Sequence, residues 1–412
     1  MLHARRSFQR IRRFSEPSHK MRRICVSAQY DMTDTLRIVH VASGDLWAGA
    51  EIQAFTLMSR LARMPKTNVS AVLLNEGVLA NGLRGAGVEV EVLQERVLPA
   101  WRILLELRRF LQAWRPDVVH THRTKENILG SVANLLGPHV PSVRTTHGAS
   151  ERREMRGWRG AMSRKAVQLD RWCGEVLQAR VVAVSEALGR DLSKTFSAKK
   201  VVIIENGIDA SALRSIAGIA DFKVAEPNAT HIGFVGRLVE VKRVDLFIKM
   251  AALLKADEMG RRWRFHIFGD GPLRTQLEEL AYELGLRGDI SFHGHRLDAA
   301  TCINGLDVLV NCSDHEGLPM TALESAALGV PLVAHAVGGL VDVVPAEFLV
   351  VRHDPVGYRN AVHEAMQQNA REVVSRFAAV MLQRFSADRN AARTREMYEV
   401  LVTSNRYGNA ER

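Results

Sequence analysis

The amino-acid sequence predicts an α/β protein made of two doubly wound domains in tandem. Short runs rich in β-branched residues alternate with longer segments of helical periodicity, and this alternation occurs twice along the chain, with an irregular segment between the two series. Strand–helix alternation is typical of βαβ units with a parallel sheet. The length of 412 residues suits roughly two to three domains of ordinary size.

The first series predicts a Rossmann-like domain over residues 35–209. Its predicted strands are LRIVHVA, NVSAVLL, VEVEVL, DVVHTH, PSVRTTHG, VVAVS and VVIIENG. The segments between them include EIQAFTLMSRLARM and WRILLELRRFLQAW. In the second of these segments apolar residues recur at helical spacing, opposite a face that carries arginines.

The second series predicts a Rossmann-like domain over residues 231–384, after an irregular linker over 210–230. Its predicted strands are HIGFVG, RFHIFGDG, ISFHG, LDVLVNCS, VPLVAH and FLVV. A last helical pattern lies within residues 385–412. Because ligands of doubly wound sheets bind beyond the carboxyl ends of the strands, two such domains predict a ligand-binding cleft between them.

Composition limits the class of protein. The chain has 56 Lys and Arg against 45 Asp and Glu, a net charge of +11, and its 47% hydrophobic and 25% charged residues exclude a disordered or fibrous chain. Residues 1–34 hold eight basic and three acidic residues, so +5 of the +11 lies there, and a uniformly basic nucleic-acid-binding body is not predicted. The four cysteines form no C-x-x-C pair, so we predict neither a disulfide framework nor a cysteine zinc site, in keeping with a reducing compartment.

The N-terminal segment over residues 1–34 is Arg-rich and lacks the apolar region of a secretory signal peptide. We predict that it is disordered or a spurious extension, with Met21 and Met32 as later starts. A transit peptide and a membrane-surface arm are the alternatives. No transmembrane helix is predicted, since the longest apolar-looking stretch, over 326–346, is interrupted by polar residues, glycines and Pro331.

Two cations follow a strand of the second domain. The strand HIGFVG leads into Gly236 and Arg237, and Lys242 follows five residues later. A glycine turn lets the backbone approach a ligand closely, and two cations suit a diphosphate. The structural alternative is a solvated helix start.

Two carboxylates follow another strand of the same domain. LDVLVNC leads into SDHEGLP, in which Pro319 suits the start of a helix whose N-terminus favours an anion in the cleft. Glu316 precedes this helix and Glu324 lies on it, eight residues later, so both can face one pocket. Carboxylates accept hydrogen bonds from sugar hydroxyls, so the pair is a candidate site for two sugar-like groups. A cap and a surface residue are the structural alternatives.

These motifs follow one another in a fixed order. They are GFVGRLVEVKRVDLFI, HIFGDGP, ISFHGHR, the segment from Glu316 to Glu324 and ALGVPLVAHAVGG, preceded in the first domain by GDLWAGAE, DVVHTH, TTHG, VVAVSEAL and ENGID. Together, from Leu36 to Val402, they resemble the retaining GT-B glycosyltransferases of family 4. The resemblance implies two Rossmann-like domains that face a cleft, with a C-terminal helix that crosses back to the first domain.

The resemblance also implies a donor site for a nucleotide-diphosphate sugar. Arg237 and Lys242 match the residues that bind the donor diphosphate. Glu316 matches the residue that contacts hydroxyls of the transferred sugar, and Glu324 matches the one that binds the ribose. The remaining implied donor contacts come from backbone groups near Gly317, Leu318, Pro319 and Met320 and from the loop that borders the nucleobase, at Gly294, His295 and Arg296.

In the first domain, His147 matches a residue near the anomeric carbon. A structural histidine is its alternative role. The turn that contains Gly44, Gly49 and Glu51 resembles the loop that meets the donor phosphate or the acceptor. Two departures from the family pattern are Asp342, where the family often has Glu after G-G-x-x, and a turn over 44–49 that is less rich in glycine than usual.

Transfer from a nucleotide sugar expels a diphosphate, and two cations and a helix N-terminus are suitable stabilisers of its growing charge. The sequence has no D-x-D, so we predict metal-independent transfer without a cofactor. No carboxylate nucleophile can be picked. The family's retention is usually explained by front-face attack. His120 and His122 lack a third ligand at matching spacing, so structural or acceptor-side roles are predicted for them.

A basic segment from Glu151 to Trp172, with seven basic and three acidic residues, follows the TTHG motif. It suits anionic lipid or a phosphorylated acceptor, and a solvated helix face is the alternative. The acceptor-side candidates are His122, Arg152, Arg153 and Arg156.

We predict a retaining glycosyltransferase that moves a hexose-type sugar to a glycan or lipid-linked acceptor in surface polysaccharide or lipopolysaccharide synthesis. Its expected location is cytoplasmic, with peripheral contact to an anionic membrane and no nucleic-acid partner. The predicted catalytic residues are His147, Glu316, Arg237 and Lys242. The alternatives are a nucleotide-sugar epimerase or hydrolase on the same fold and a non-catalytic nucleotide- or nucleic-acid-binding protein.

Overall fold

A computed structural model describes residues 35–45, 47–148, 157–257 and 260–408. The predictions for residues 1–34 and for Arg152, Arg153 and Arg156 lie outside these ranges. Residues from Thr35 onward form one compact unit.

The first domain contains a seven-stranded parallel sheet in the order β3-β2-β1-β4-β5-β6-β7. Its strands are β1 Leu36–Ala42, β2 Thr67–Leu73, β3 Glu89–Val92, β4 Val118–His122, β5 Ser142–Thr146, β6 Arg180–Ala183 and β7 Val201–Ile203. The helices are α1 Gly49–Ala62, α2 Val78–Gly85, α3 Ala100–Trp114, α4 Thr124–Leu135, α5 Gly157–Trp172 and α6 Glu186–Leu192, with a π-helical turn at Cys173–Leu177 after α5. The central strands are buried on both faces, which explains their continuous apolar runs.

The linker differs from the irregular segment that its composition predicts. It forms two short helices, α7 Ala210–Ile216 and α8 Asp221–Ala225. The Asp209 side chain caps α7 by accepting a hydrogen bond of 3.1 Å from the Ala212 N–H. The ring of Phe222 packs 4.1 Å from that of His266, which fixes α8 on the second domain.

The second domain contains a six-stranded sheet in the order β10-β9-β8-β11-β12-β13. Its strands are β8 Thr230–Val235, β9 Trp263–Phe268, β10 Ile290–Gly294, β11 Val308–Asn311, β12 Leu332–His335 and β13 Leu349–Val350. The helices are α9 Val244–Ala256, α10 Arg274–Glu283, α11 Ala299–Asn304, α12 Met320–Leu328, α13 Leu340–Val343, α14 Pro355–Ala365 and α15 Ala370–Arg384, with 3₁₀ turns at Glu240–Lys242 and Ala346–Phe348. The predicted pair of Rossmann-like domains is thus confirmed.

The last helix, α16 Ala387–Gly408, returns to the first domain and packs on α1. The chain crosses between the domains twice, and the crossings lie side by side. The Ile208 N–H donates to the Phe385 carbonyl at 2.8 Å, and the Ala387 N–H donates to the Ile208 carbonyl at 3.0 Å. At the far end of α16, Arg406 Nη2 lies 3.0 Å from Asp117 Oδ1. Within the described residues no helix is long and apolar enough to cross a membrane.

Candidate active site

The carboxyl ends of the two sheets bring the first domain against the start of α12. The Asn206 amide donates to the Leu318 carbonyl at 2.8 Å. A Cβ at Gly317 would lie 2.4 Å from the carbonyl oxygen of His147, so only glycine allows this approach of the two backbones. The predicted donor loop therefore lies against the residue that the resemblance assigns to the anomeric carbon.

Lys242 and Glu316, which the resemblance assigns to the diphosphate and to the transferred sugar, form an ion pair with each other. Lys242 Nζ donates to Glu316 Oε1 at 2.6 Å, and the same oxygen accepts hydrogen bonds from Ser313 Oγ at 2.7 Å and Asn311 Nδ2 at 3.1 Å. Burial alone would raise the pKa of Glu316, but the charge and hydrogen bond of Lys242, with the two neutral donors, outweigh it and hold that pKa below its ordinary value. Glu316 is therefore an ionised, oriented acceptor at the start of α12.

The turn after β12 holds this loop from behind. Gly338 has φ +56°, and a Cβ there would lie 1.9 Å from the Glu316 carbonyl oxygen. The Gly339 N–H donates to the Gly317 carbonyl at 2.7 Å. Asp342, the departure from the family pattern, lies on α13 beyond this turn, and burial raises its pKa although the nearby Arg384 opposes the shift.

Glu324 lies on the buried face of α12 and is only 5% exposed. Burial raises its pKa to about 7. A carboxylate that is desolvated in this way favours ligand groups that donate hydrogen bonds to it.

Arg237 follows β8, where charges from both domains surround it. Burial lowers its pKa, as does the charge of Arg123, whereas Glu51 and Glu316 act in the opposite direction. Glu51, in the first turn of α1, is 3% exposed and lies 2.5 Å from Arg123 Nη2. Glu51 and Arg237, both predicted site residues, thus lie in one charged cluster with Arg123. Arg123 was not predicted from the sequence, although a cation directly after a predicted strand could have indicated it.

The two predicted glycine turns have backbone reasons. Gly44 has φ +82°, and a Cβ there would lie 2.9 Å from the Asn75 carbonyl oxygen. Gly49 begins α1, and a Cβ there would lie 3.7 Å from Met320 Cγ on α12. Gly294 at the end of β10 has φ +71° and accepts a hydrogen bond of 2.7 Å from the Gly269 N–H.

Two predicted residues of the loop after β10 differ in their surroundings. His295 is exposed, and Arg296 Nη2 pairs with Asp298 Oδ2 at 2.6 Å. No described contact joins this loop to Glu316 or Glu324. The nucleobase border therefore rests on the resemblance.

His147 ends a row of three hydrogen-bonded histidines. His122 Nδ1 lies 3.2 Å from His147 Nε2, and His122 Nε2 lies 3.1 Å from His40 Nδ1. Burial lowers the pKa of each ring, that of His122 to about 4, so the row is neutral. His122 is 3% exposed and both its nitrogens are engaged, so it lies behind His147 rather than at a surface that an acceptor can touch directly.

Three histidines form a candidate metal cluster among the described residues. Ring nitrogens of His40, His120 and His122 lie within 4.8 Å of one another. His40 is the third histidine of this cluster. Sequence spacing did not reveal it, because it lies on β1, which is next to β4 in the sheet. Hydrogen bonds occupy the ring nitrogens of two of the three residues: His120 bonds Tyr398 and, at 2.7 Å, Thr145, and His122 bonds its two histidine neighbours. His40 Nε2 has no partner among the described residues. This geometry favours a hydrogen-bonded cluster over a metal site.

Two family descriptions match the two halves of the chain. Residues 47–212 match "Glycosyltransferase Family 4", and residues 229–368 match "Glycosyl transferases group 1". A structure of Anabaena HepE in complex with UDP-glucose is similar in fold, with a TM-score of 0.74 at 18% identity over 88% of this chain and 99% of that one. The chain belongs to the family 4 glycosyltransferases of the GT-B fold, and it is an enzyme that transfers a sugar.

Curated relatives share much of this chain at moderate identity. A D-inositol 3-phosphate glycosyltransferase of Thermobispora bispora is 27% identical over 387 residues, which cover 88% of both chains. A UDP-Gal:alpha-D-GlcNAc-diphosphoundecaprenol alpha-1,3-galactosyltransferase of Escherichia coli is 25% identical over 66% of this chain and 72% of its own. The names of these relatives describe different acceptors.

Proposed function

We propose that the protein is a retaining glycosyltransferase that moves a hexose-type sugar from a nucleotide-diphosphate sugar to a glycan or lipid-linked acceptor in surface polysaccharide or lipopolysaccharide synthesis. The observation that carries this proposal is the oriented Glu316, bonded to Lys242 at 2.6 Å at the N-terminus of α12. An ionised carboxylate beside a cation and a helix N-terminus can hold sugar hydroxyls next to a diphosphate.

The same residues suit the chemistry of transfer. The bond from the anomeric carbon to the diphosphate breaks, and the leaving oxygen gains negative charge. Arg237, Lys242 and the free N–H groups at the start of α12 can stabilise that charge. We propose that these groups replace a metal ion, and that His147 lies beside the transferred sugar. The retaining outcome follows from the family resemblance, with the leaving phosphate taking the acceptor proton.

The acceptor class finds support in a surface on the first domain. Around the start of α3 the exposed apolar residues Val97 and Trp101 are 73% and 63% exposed, and Arg96 and Arg102 are exposed beside them. Apolar and basic side chains together favour an anionic lipid surface. We propose that this α3 patch, with the basic helix α5, gives the cytoplasmic enzyme peripheral contact with a membrane. One relative's name specifies a diphosphoundecaprenol acceptor, which is a lipid.

The donor is tested by thermal shift with nucleoside diphosphates and their sugars. A donor at about 100 times its Kd should stabilise the protein by about 2.7 kcal/mol. Product analysis with and without an acceptor then separates transfer from epimerisation and hydrolysis. Stabilisation by nucleic acid alone, with a steep salt dependence and no turnover, would instead favour the binding-protein alternative.

The site is tested with Lys242→Ala and Glu316→Gln. Each should lower transfer at least about a hundredfold, since each removes a charged group from the transition state. Lys249→Ala is the matched control, because Lys249 is a helix lysine that pairs with Asp245 at 3.1 Å. Full activity in either site variant would refute the assignment, and a loss of activity on EDTA treatment would refute metal independence.

A further inference from the structure

Arg123 has a backbone conformation that arginine rarely adopts. It stands between β4 and α4 with φ +67° and ψ 173°. This region is essentially restricted to glycine, and another residue there is strained. Strain of this kind persists where the surrounding structure holds the residue in place, and it is concentrated at functional sites.

The cluster around Arg123 has capacity for a ligand. Its Nη2 lies 2.5 Å from Glu51 Oε1 and its Nη1 lies 3.4 Å from Asp45 Oδ1. A guanidinium carries five N–H donors, so these contacts leave others for a ligand. Glu51 is only 3% exposed, and its Oε2 atom has no hydrogen-bond partner within the described structure. A buried carboxylate oxygen without a partner is costly unless a ligand or water donates a hydrogen bond to it. This atom therefore indicates a hydrogen-bond donor on the bound molecule, such as a hydroxyl, beside the group that Arg123 holds.

The position of this cluster points to an anion with more than one charge. Glu51 is in the first turn of α1, and Gly49 at the start of that helix faces Met320 at the start of α12. Arg123 immediately precedes α4, and its ion pair with Glu51 connects it to the start of α1. The charge of Arg123 also lowers the pKa of Arg237, which places the two cations near each other. Two neighbouring guanidinium groups repel each other, and a phosphate that binds both removes this repulsion.

We propose that Arg123 binds a phosphoryl group of a substrate from the first-domain wall of the cleft. The side chain is 34% exposed, so it is accessible to a ligand. The group is either the donor diphosphate or a phosphate carried by the acceptor. This role of Arg123 rests on the proposed donor site. The test below distinguishes a donor diphosphate from an acceptor phosphate, and it distinguishes failure of the donor site from failure of the role of Arg123.

The test compares Arg123→Gly with Arg123→Ala. Both variants lose the guanidinium equally and differ only in the Cβ, so the Gly variant should have the higher Tm because it relieves the strain. Arg115→Gly and Arg115→Ala are the matched controls, since Arg115 also has a positive φ of 52° but ends α3 away from the cleft. Binding is measured by calorimetry with UDP, GDP and ADP, and with inorganic phosphate added to protein saturated with the tightest nucleotide.

A donor role predicts that Arg123→Gly weakens nucleotide binding about tenfold or more, the effect of losing a charge-assisted hydrogen bond. An acceptor role predicts unchanged nucleotide binding and a similar loss of phosphate binding. Wild-type affinities for both probes in Arg123→Gly would overturn the proposal, as would a wild-type protein that binds neither. If the wild type binds phosphate but no nucleotide, the donor site fails while a loss of phosphate binding in Arg123→Gly still supports the role of Arg123.

Discussion

Glu324 is a carboxylate that the fold buries on α12, the helix that begins at the proposed donor site. At 5% exposure it is desolvated by the face of α12 that packs into the domain, and burial raises its pKa to about 7. Only the ionised form accepts hydrogen bonds at both oxygens, which is the form that ribose hydroxyls need. Its ionisation should therefore be coupled to donor binding.

We expect the affinity for a nucleoside diphosphate to rise between about pH 6 and about pH 8, because Glu324 loses its proton in this window. Glu324→Gln should bind more weakly and with a flatter pH profile, measured by calorimetry. Glu126→Gln is the control. Burial raises the pKa of Glu126 to about 7 as well, but Glu126 lies on α4 in the first domain rather than on α12. An unchanged slope in Glu324→Gln would contradict this role.

The raised pKa values of Glu126 and Glu324 also determine how their contribution to the free energy of unfolding changes with pH. Both groups bind protons more tightly in the folded protein than in the unfolded chain, where their value is 4.5. Their contribution is thus fully present below that value and is lost as the pH rises toward about 7.

At the scale of elements, the turn after β12 is a backbone support for the donor loop. Gly338 and Gly329 both have positive φ, of +56° and +72°, but only Gly338 touches the site. A Cβ at Gly338 would lie 1.9 Å from the Glu316 carbonyl oxygen, whereas a Cβ at Gly329 meets nothing within 4 Å. The two positions therefore separate the cost of backbone strain from displacement of the loop.

Gly329→Ala should cost about 1–2 kcal/mol of unfolding free energy, from its left-handed conformation alone. Gly338→Ala should cost more, and it should also weaken nucleotide binding because the Glu316 loop must move. Urea unfolding and calorimetry measure the two effects. Equal stability losses with unchanged nucleotide binding in both variants would contradict the supporting role of this turn.

The sequence predicts elements better than it predicts the neighbours of a side chain. The strands and the helix WRILLELRRFLQAW follow from apolar periodicity, and α3 contains that whole segment with Ala100 added at its start. The motifs that carry the family resemblance predict that Glu316 and Lys242 belong to one donor site, but they do not predict the ion pair between the two residues. Arg123 and His40 were missed because their roles depend on partners in other strands and helices, which no local pattern in one sequence encodes.

At the scale of the whole molecule, basic residues of the described chain lie in distinct regions. Arg237 and Lys242 lie at the proposed donor site, and the α3 patch combines arginines with exposed apolar side chains. Basic side chains attract anionic lipid, and apolar side chains enter the lipid–water interface. The proposed membrane contact of the α3 patch therefore requires both its arginines and its apolar side chains.

Trp101→Ser should reduce sedimentation of the protein with vesicles of phosphatidylglycerol and phosphatidylcholine several-fold. Ile219→Ser is the control, since Ile219 is 77% exposed in the linker, outside the patch. Binding to the anionic vesicles should fall with added salt, because salt screens exposed charges. Equal binding to purely neutral vesicles, or no effect of Trp101→Ser, would rule out this mode of contact.

The paired crossings at Ile208 and Ala387 have a mechanical consequence. Because the two chain segments are hydrogen-bonded to each other, at 2.8 and 3.0 Å, they act as one hinge rather than as two separate tethers. A hinge of this kind permits rotation about a single axis and resists sliding of one domain along the other. Rotation about this axis would leave the bonds at Ile208 and Ala387 intact and would change the distance between Gly317 and His147, which belong to different domains.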